Sequence, residues 1–200
     1  MKQSILVSIL VLVAFPGLSY GEEPIDVLKK CVAQGIRILE NPRYSDLGQK
    51  DDQLQKLMTL LQQNLDFAGF SRLVLAVHWR KFSMEQREEF TRVFTEFISR
   101  FYMRKLQERY RGEKIKYIDQ RFMTESKAEV NIEVTWRDVD IPAQVRMIRR
   151  KGAWKAYDAM SFGISFMRNY RAQFSSVLRT KSPDQVIAIL KEKIERLYPN

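Results

Sequence analysis

The sequence has almost none of the residues that build metal centres and nucleophilic active sites. Its 200 residues include one cysteine, Cys31, and one histidine, His78. A single cysteine excludes an intrachain disulfide, and these two residues cannot supply a Cys/His zinc site or an iron–sulfur cluster. The glycine-rich fingerprints of phosphate-binding and dinucleotide-binding loops are also missing. The sequence therefore predicts a protein without a metal centre or a cofactor, and we expect it not to be an enzyme.

Carboxylates, the other common source of catalysis, mostly have ordinary explanations. Asp51 and Asp52 fit the start of a helix, and Asp138 and Asp140 fit a turn. Asp158 is different, because it lies in phase with the apolar face of a predicted strand, where an unpartnered charge is costly. A β-bulge, an arginine partner or a backbone N–H would explain its position, and catalysis is the alternative.

Residues 1–21 have the pattern of a secretory signal peptide. Lys2 gives a positive start, residues 4–15 form an apolar run, and Gly21 is a small residue at the expected cleavage point. The apolar run is too short for a membrane span of roughly 20 residues. We therefore expect a cleaved signal peptide at 1–21 and a single, soluble domain at 22–200 that is exported to the periplasm.

Positive charge exceeds negative charge, with 34 Lys+Arg against 24 Asp+Glu and a formal net charge of +10. Export disfavours a nucleic-acid partner, so anionic lipid head groups and acidic proteins become the better candidates. The basic residues crowd residues 100–116, which predicts either the solvated face of a helix or a docking surface.

Apolar residues recur at helical spacing in both terminal parts of the chain. The predicted helices begin at Pro24, Asp51, Phe67, Met84, Met167 and Ser182. The longest covers residues 84–110, starts at a capping box and carries a wide aromatic stripe. Between the helical regions the apolar period changes to two, over residues 130–136, 141–147 and 154–162, with a weaker strand at 113–122. The chain therefore predicts an α+β fold with a four-stranded antiparallel meander.

The apolar side chains are unusually large. Twelve Phe, eight Tyr, eight Met and three Trp would suit an ordinary core, or a core opened into a cavity between sheet and helices. Composition alone leaves both interpretations open.

One series of residues is specific. It comprises WKAYD at 154–158, GIS at 163–165, Tyr170-Arg171 and Phe174, preceded by the capping box at Ser83. In this order the series closely resembles the MlaC family of periplasmic phospholipid-binding proteins, also called the toluene-tolerance auxiliary family. The resemblance extends over about residues 24–195.

The resemblance implies a fold and a function. The implied fold is a twisted four-stranded antiparallel sheet wrapped by helices, with a lipid cavity between sheet and helices. The implied function is a monomeric carrier that shuttles phospholipid between an outer-membrane lipoprotein–porin complex and an inner-membrane MCE-domain ABC transporter. Bound phospholipid would then be cargo rather than a cofactor. A hopanoid carrier of the same family, or a periplasmic adaptor of a transporter that binds no lipid, are the alternatives.

The expected lipid-binding residues are the apolar residues of the sheet face and of the helices that cover it. The strands contribute Val134, Trp136, Val145, Met147, Met160 and Phe162, the helices contribute Phe94, Phe97, Phe101, Met167, Tyr170 and Phe174, and Ile164 lies at the cavity mouth. Taken singly, each of these side chains is more often part of a closed core than of a ligand wall, so the prediction rests on the set.

Overall fold

The computed structural model describes residues 22–197, and the predicted signal peptide lies outside this range. The described part contains six α-helices: α1 (Pro24–Leu39), α2 (Lys50–Asn64), α3 (Phe67–Leu75), α4 (Met84–Arg109), α5 (Phe166–Val177) and α6 (Pro183–Leu197). Five strands lie between α4 and α5: β1 (Lys114–Thr124), β2 (Lys127–Trp136), β3 (Val139–Arg150), β4 (Ala153–Ser161) and β5 (Ile164–Ser165). No helix within residues 22–197 is both long and apolar enough to span a bilayer.

Local hydrogen bonds fix where the longest helix begins. The Ser83 hydroxyl accepts the Gln86 backbone N–H at 3.2 Å, and the Gln86 side chain accepts the Ser83 N–H at 2.9 Å. These bonds satisfy N–H groups that would otherwise have no partner at a helix start. The predicted capping box and the start of α4 at Met84 are therefore confirmed.

The sheet is an antiparallel meander in the order β1-β2-β3-β4-β5, so the predicted α+β class and meander are confirmed. The count of four strands was wrong by one, because β4 turns back and pairs with the two-residue β5. Phe162 and Gly163 make this turn with φ of 48° and 75°. A tight hairpin needs such left-handed backbone, and Phe is an uncommon residue there, so the turn was hard to predict from the sequence.

Two apolar clusters hold the fold together. The first lies among α3, α4, α5 and α6, and is rich in phenylalanine. Phe94 lies at its centre, with the rings of Phe70, Phe90, Tyr170 and Phe174 all between 5.2 and 5.5 Å away. Stacked and edge-to-face rings at this spacing form a closed core.

The second cluster lies on the sheet. Val130 and Met147 are buried there, and the first turns of α1 pack against it through Ile25 and Leu28. The first cluster does not include α1 residues. This division leaves the rest of α1 above the sheet without a fully packed apolar partner.

Candidate functional site

An apolar groove of about 410 Å³ runs beneath α1, and we call it the α1 groove. Its volume lies within the range of small-molecule sites, about 300–1,000 Å³. The apolar wall comes from α1 (Cys31, Val32, Gly35, Ile36, Leu39), α2 (Leu57, Leu60, Leu61), α4 (Met103, Leu106) and the sheet (Ile115, Val134, Trp136). Polar side chains contribute only at one end, through Arg109, Tyr110 and Glu113.

The amphipathic sequence of α1 explains why this groove is apolar. The helix repeats apolar residues on one side, yet Pro24 is its only buried residue. The wall-forming residues of α1 are half-buried, so they keep apolar surface open to the groove. A contiguous open apolar surface of this kind is typical of a binding site, because burying it under a ligand is favourable.

Gly35 makes room in the middle of the groove. A Cβ at this position would meet only the Leu60 side chain, at 3.7 Å, which is ordinary van der Waals contact. Backbone strain does not require glycine here, since Gly35 lies inside a regular helix and not among the residues with positive φ. Glycine in a helix interior costs about 1 kcal/mol relative to alanine, so its small size is the property that matters for the space.

Polar bonds hold the two ends of α1. At the start, the Ile25 N–H donates to the Gln120 side chain at 2.9 Å. At the end, the Gln53 side-chain amide donates to the carbonyls of Ile38 and Leu39 at 2.9 and 3.2 Å. The groove-lining residues of α1 lie in its C-terminal half, between Cys31 and Leu39, so the second attachment holds the part of the helix that borders the groove.

Tyr110 joins the end of α4 to the end of α1. Its hydroxyl donates to the Glu40 carboxylate at 2.8 Å. Burial, and then this bond to Glu40, raises the pKa of Tyr110 to about 12. The phenol therefore stays protonated and remains a donor at any physiological pH, which keeps the two helix ends connected at the groove mouth.

Beyond the mouth lies a polar depression of about 690 Å³, which we call the basic recess. Its cationic side chains are Arg109, Arg111, Lys114 and Arg137, and its carboxylates are Glu113 and Asp138. The basic recess shares Arg109, Glu113 and Trp136 with the α1 groove, so the two are continuous. An apolar channel that opens into a charged depression matches the shape and polarity of an amphiphile.

Two of the thirteen expected site residues line the α1 groove. Val134 forms part of its wall on β2, and Trp136 lies at the mouth with 45% of its surface exposed. Their positions follow from the alternation of β2, which turns every second side chain toward the helices.

The expected helical residues lie elsewhere. Phe94, Phe97, Met167, Tyr170 and Phe174 are buried together in the cluster among α3, α4, α5 and α6. Phe101 follows them along α4 and stacks on Phe97 with ring centroids 5.7 Å apart. The structure therefore brings these residues to each other and not to the α1 groove.

The remaining strand residues are also separate from the groove. Met147 is buried in the sheet cluster, and Val145 packs against that cluster. Met160 and Phe162 line another surface depression, about 440 Å³ in volume. Phe162 lies in the tight turn of the β4–β5 hairpin and Ile164 directly follows that turn, and they are 71% and 69% exposed.

The sequence reasoning missed the contributions of α1 and α2. Their apolar stripes are visible in the sequence, but a stripe looks the same whether it faces a core or an open groove. The one local signal was Gly35. A glycine inside an apolar helical stripe leaves space where a side chain would otherwise pack.

Asp158 has a structural environment. It is buried, and it accepts the Ser165 hydroxyl at 2.7 Å and the Met167 backbone N–H at 2.9 Å. Arg146 lies 3.7 Å from the same carboxylate. The register of β3 against β4 shifts here and leaves Tyr157 as the extra residue of a bulge. The expected bulge, arginine and backbone N–H are all confirmed.

The described residues offer no metal centre: within residues 22–197, no three His, Cys, Asp or Glu side chains are grouped to hold an ion.

Cys31 lies in the wall of the α1 groove, and burial raises the pKa of its thiol above the usual value. A thiol of raised pKa is a poor nucleophile at neutral pH, because the thiolate is the reactive form.

Known proteins are similar to this chain in sequence and in fold. The family model described as "MlaC protein" matches residues 29–192. The "Intermembrane phospholipid transport system binding protein MlaC" of Haemophilus influenzae is 25% identical over an alignment of 172 residues, and the match covers 80% of this chain and 73% of that protein. A phospholipid-binding protein from Ralstonia solanacearum, solved in complex with a phospholipid, has a TM-score of 0.74 at 19% identity. That match covers 88% of this chain and 99% of the Ralstonia chain, and it shows a shared fold.

Proposed function

Because the chain belongs to the MlaC family, we propose that it is a non-enzymatic phospholipid carrier that holds acyl chains in the α1 groove. The observation that carries this proposal is the open apolar wall beneath α1, with polar groups at one end only. The phospholipid bound to the Ralstonia protein of the same fold, and the transport system named for the Haemophilus relative, support it.

The energetics of lipid transfer explain why a carrier is needed. Two acyl chains of about 16 carbons, at about 0.8 kcal/mol per CH₂, oppose exposure to water by roughly 25 kcal/mol. A carrier need not extract the lipid from water. It only has to offer a site whose free energy is near that of the bilayer, and exchange can then occur on contact without any bond chemistry.

The setting we propose is the periplasm, reached through the signal-like residues 1–21. There a monomer would exchange lipid with an inner-membrane MCE-domain ABC transporter and an outer-membrane lipoprotein–porin complex. The family membership and the intermembrane system named for the Haemophilus relative support this setting.

The proposal is tested by native mass spectrometry of the protein beginning at Glu22, with organic extraction of the same sample. We expect added masses that match phospholipids, and the mass also reports the number of acyl chains. Hopanoid masses would overturn phospholipid as the cargo. A bare protein mass that persists after incubation with phospholipid vesicles would overturn the carrier function and favour an adaptor.

Cys31 provides an internal reporter of groove occupancy, because it is the only cysteine of the chain. We expect a maleimide to label delipidated protein at a measurable rate, although the raised pKa of the Cys31 thiol slows the reaction. Protein that is about 90% loaded should react about tenfold more slowly, since only the empty fraction exposes the thiol. Both samples should react at the same rate in denaturing urea, which controls for reagent and pH. Equal native rates would mean that the lipid lies outside the α1 groove.

A further inference from the structure

The four cations of the basic recess are not neutralised by neighbouring acids. Within residues 22–197, no carboxylate oxygen lies within 4.0 Å of a side-chain nitrogen of Arg109, Arg111, Lys114 or Arg137. Other surface arginines are paired: Arg150, for example, lies 3.0 Å from the Asp66 carboxylate. The recess therefore concentrates unpaired positive charge beside the mouth of the α1 groove.

Two of these guanidinium groups are held in place without losing their charge. Arg111 donates from Nη1 to the carbonyls of Glu108 and Tyr110, at 3.0 and 2.7 Å. Among the described residues, no hydrogen bond or ion pair engages its Nε–Nη2 edge, which can bind a phosphate through two parallel hydrogen bonds. The Arg137 guanidinium lies over the Trp136 ring, 4.8 Å from its centroid.

The two acids of the recess do not cancel this field. The Glu113 carboxylate accepts the Arg111 backbone N–H at 2.9 Å, and Asp138 lies exposed in the turn between β2 and β3. Four cations against two carboxylates leave a formal charge of +2. Anions are attracted to such a surface, and a second cation is repelled.

We propose that the basic recess binds the phosphate of the head group while the acyl chains lie in the α1 groove, and that it thereby selects anionic phospholipids over zwitterionic ones. This inference rests on the proposed function. A phosphatidylglycerol head group brings only its phosphate charge to the recess. A phosphatidylcholine head group also brings a quaternary ammonium, which the unpaired cations repel.

The test is a competition for the carrier. Delipidated protein is incubated with vesicles that contain equal amounts of phosphatidylglycerol and phosphatidylcholine with identical acyl chains. It is then separated from the vesicles, and its bound lipids are quantified by mass spectrometry. We expect the bound ratio to favour phosphatidylglycerol about tenfold, which corresponds to about 1.4 kcal/mol.

Matched variants test whether the recess cations cause the preference for phosphatidylglycerol. The double variant Lys114→Gln with Arg137→Gln removes two exposed recess cations, and we expect its bound ratio to fall to near one. The control variant, Arg80→Gln with Lys81→Gln, removes the same charge from an exposed segment that borders neither the recess nor the groove, and it should keep the preference.

Inorganic phosphate separates a lipid head group from a free anion as the occupant. At constant ionic strength, 10-fold increments of phosphate should leave the bound ratio unchanged, because the tethered head group has the higher effective concentration. Loss of the preference in phosphate would instead identify the recess as a free-phosphate site.

The outcomes distinguish the two proposals. No bound lipid of either kind would overturn the carrier function itself. Bound lipid without a preference, or a preference that survives in the recess variant, would overturn only the head-group site.

Discussion

Replacing Gly35 with phenylalanine is expected to abolish phospholipid loading while leaving the fold intact. Gly35 lines the α1 groove, and a Cβ there meets only Leu60, at 3.7 Å. The new ring would therefore extend into the apolar space that the acyl chains need. Its burial stabilises the protein, and replacing a helical glycine contributes up to about 1 kcal/mol more.

Lipid content and unfolding should be measured on the same preparations. Extracted lipid per protein should fall at least tenfold, equivalent to about 1.4 kcal/mol or more in binding, while the urea midpoint stays equal or rises. A phenylalanine variant that folds and keeps its full lipid content would exclude the α1 groove as the site.

Gly35→Ala is the matched control for this experiment. It changes the same backbone position and gains at least as much helix propensity, but a methyl group fills little of a groove of about 410 Å³. We expect the alanine variant to be more stable and to retain its lipid. If only the phenylalanine variant loses lipid, the cause is the ring that fills the groove.

Replacing Asp158 with alanine is expected to cost about 3 kcal/mol of unfolding free energy or more. The substitution leaves the Ser165 hydroxyl and the Met167 N–H buried without their acceptor, at about 1–3 kcal/mol each. It also removes the carboxylate that faces the half-buried Arg146. Asp158→Asn should cost less, because its carbonyl oxygen can still accept one of the two bonds.

Urea unfolding measures this loss, and Asp140→Ala is the matched control. Asp140 is also a strand aspartate that accepts a hydroxyl, from Thr135 at 2.7 Å, but it is exposed. Exposed sites usually change stability by no more than about 0.5 kcal/mol. An unchanged unfolding midpoint for Asp158→Ala would refute the structural role and revive the catalytic alternative.

The sequence predicted the fold better than it predicted the α1 groove, for a physical reason. Capping residues such as Ser83 and the alternation of residues 130–136 act locally, so they can be recognised without knowing the neighbours. Periodicity identifies the apolar face of a helix but not what covers it. The stripe of α1 and the aromatic stripe of α4 therefore looked alike, although α4 packs into a closed cluster and α1 borders the groove.

The attachment of α1 by its ends has a consequence for local stability. Polar bonds at Ile25 and at Ile38 fix the ends, while the half-buried apolar residues in the C-terminal half of the helix would gain further packing from a lipid in the groove. We therefore expect bound lipid to add to the free energy of opening this helix and to slow amide hydrogen exchange along α1. Linkage is reciprocal. If a partner binds better when α1 is loosened, that partner lowers the affinity for lipid. Lipid then lowers the affinity for the partner by the same factor. Through this one helix, binding to such a partner would itself weaken lipid binding, so that lipid is released on contact with the partner.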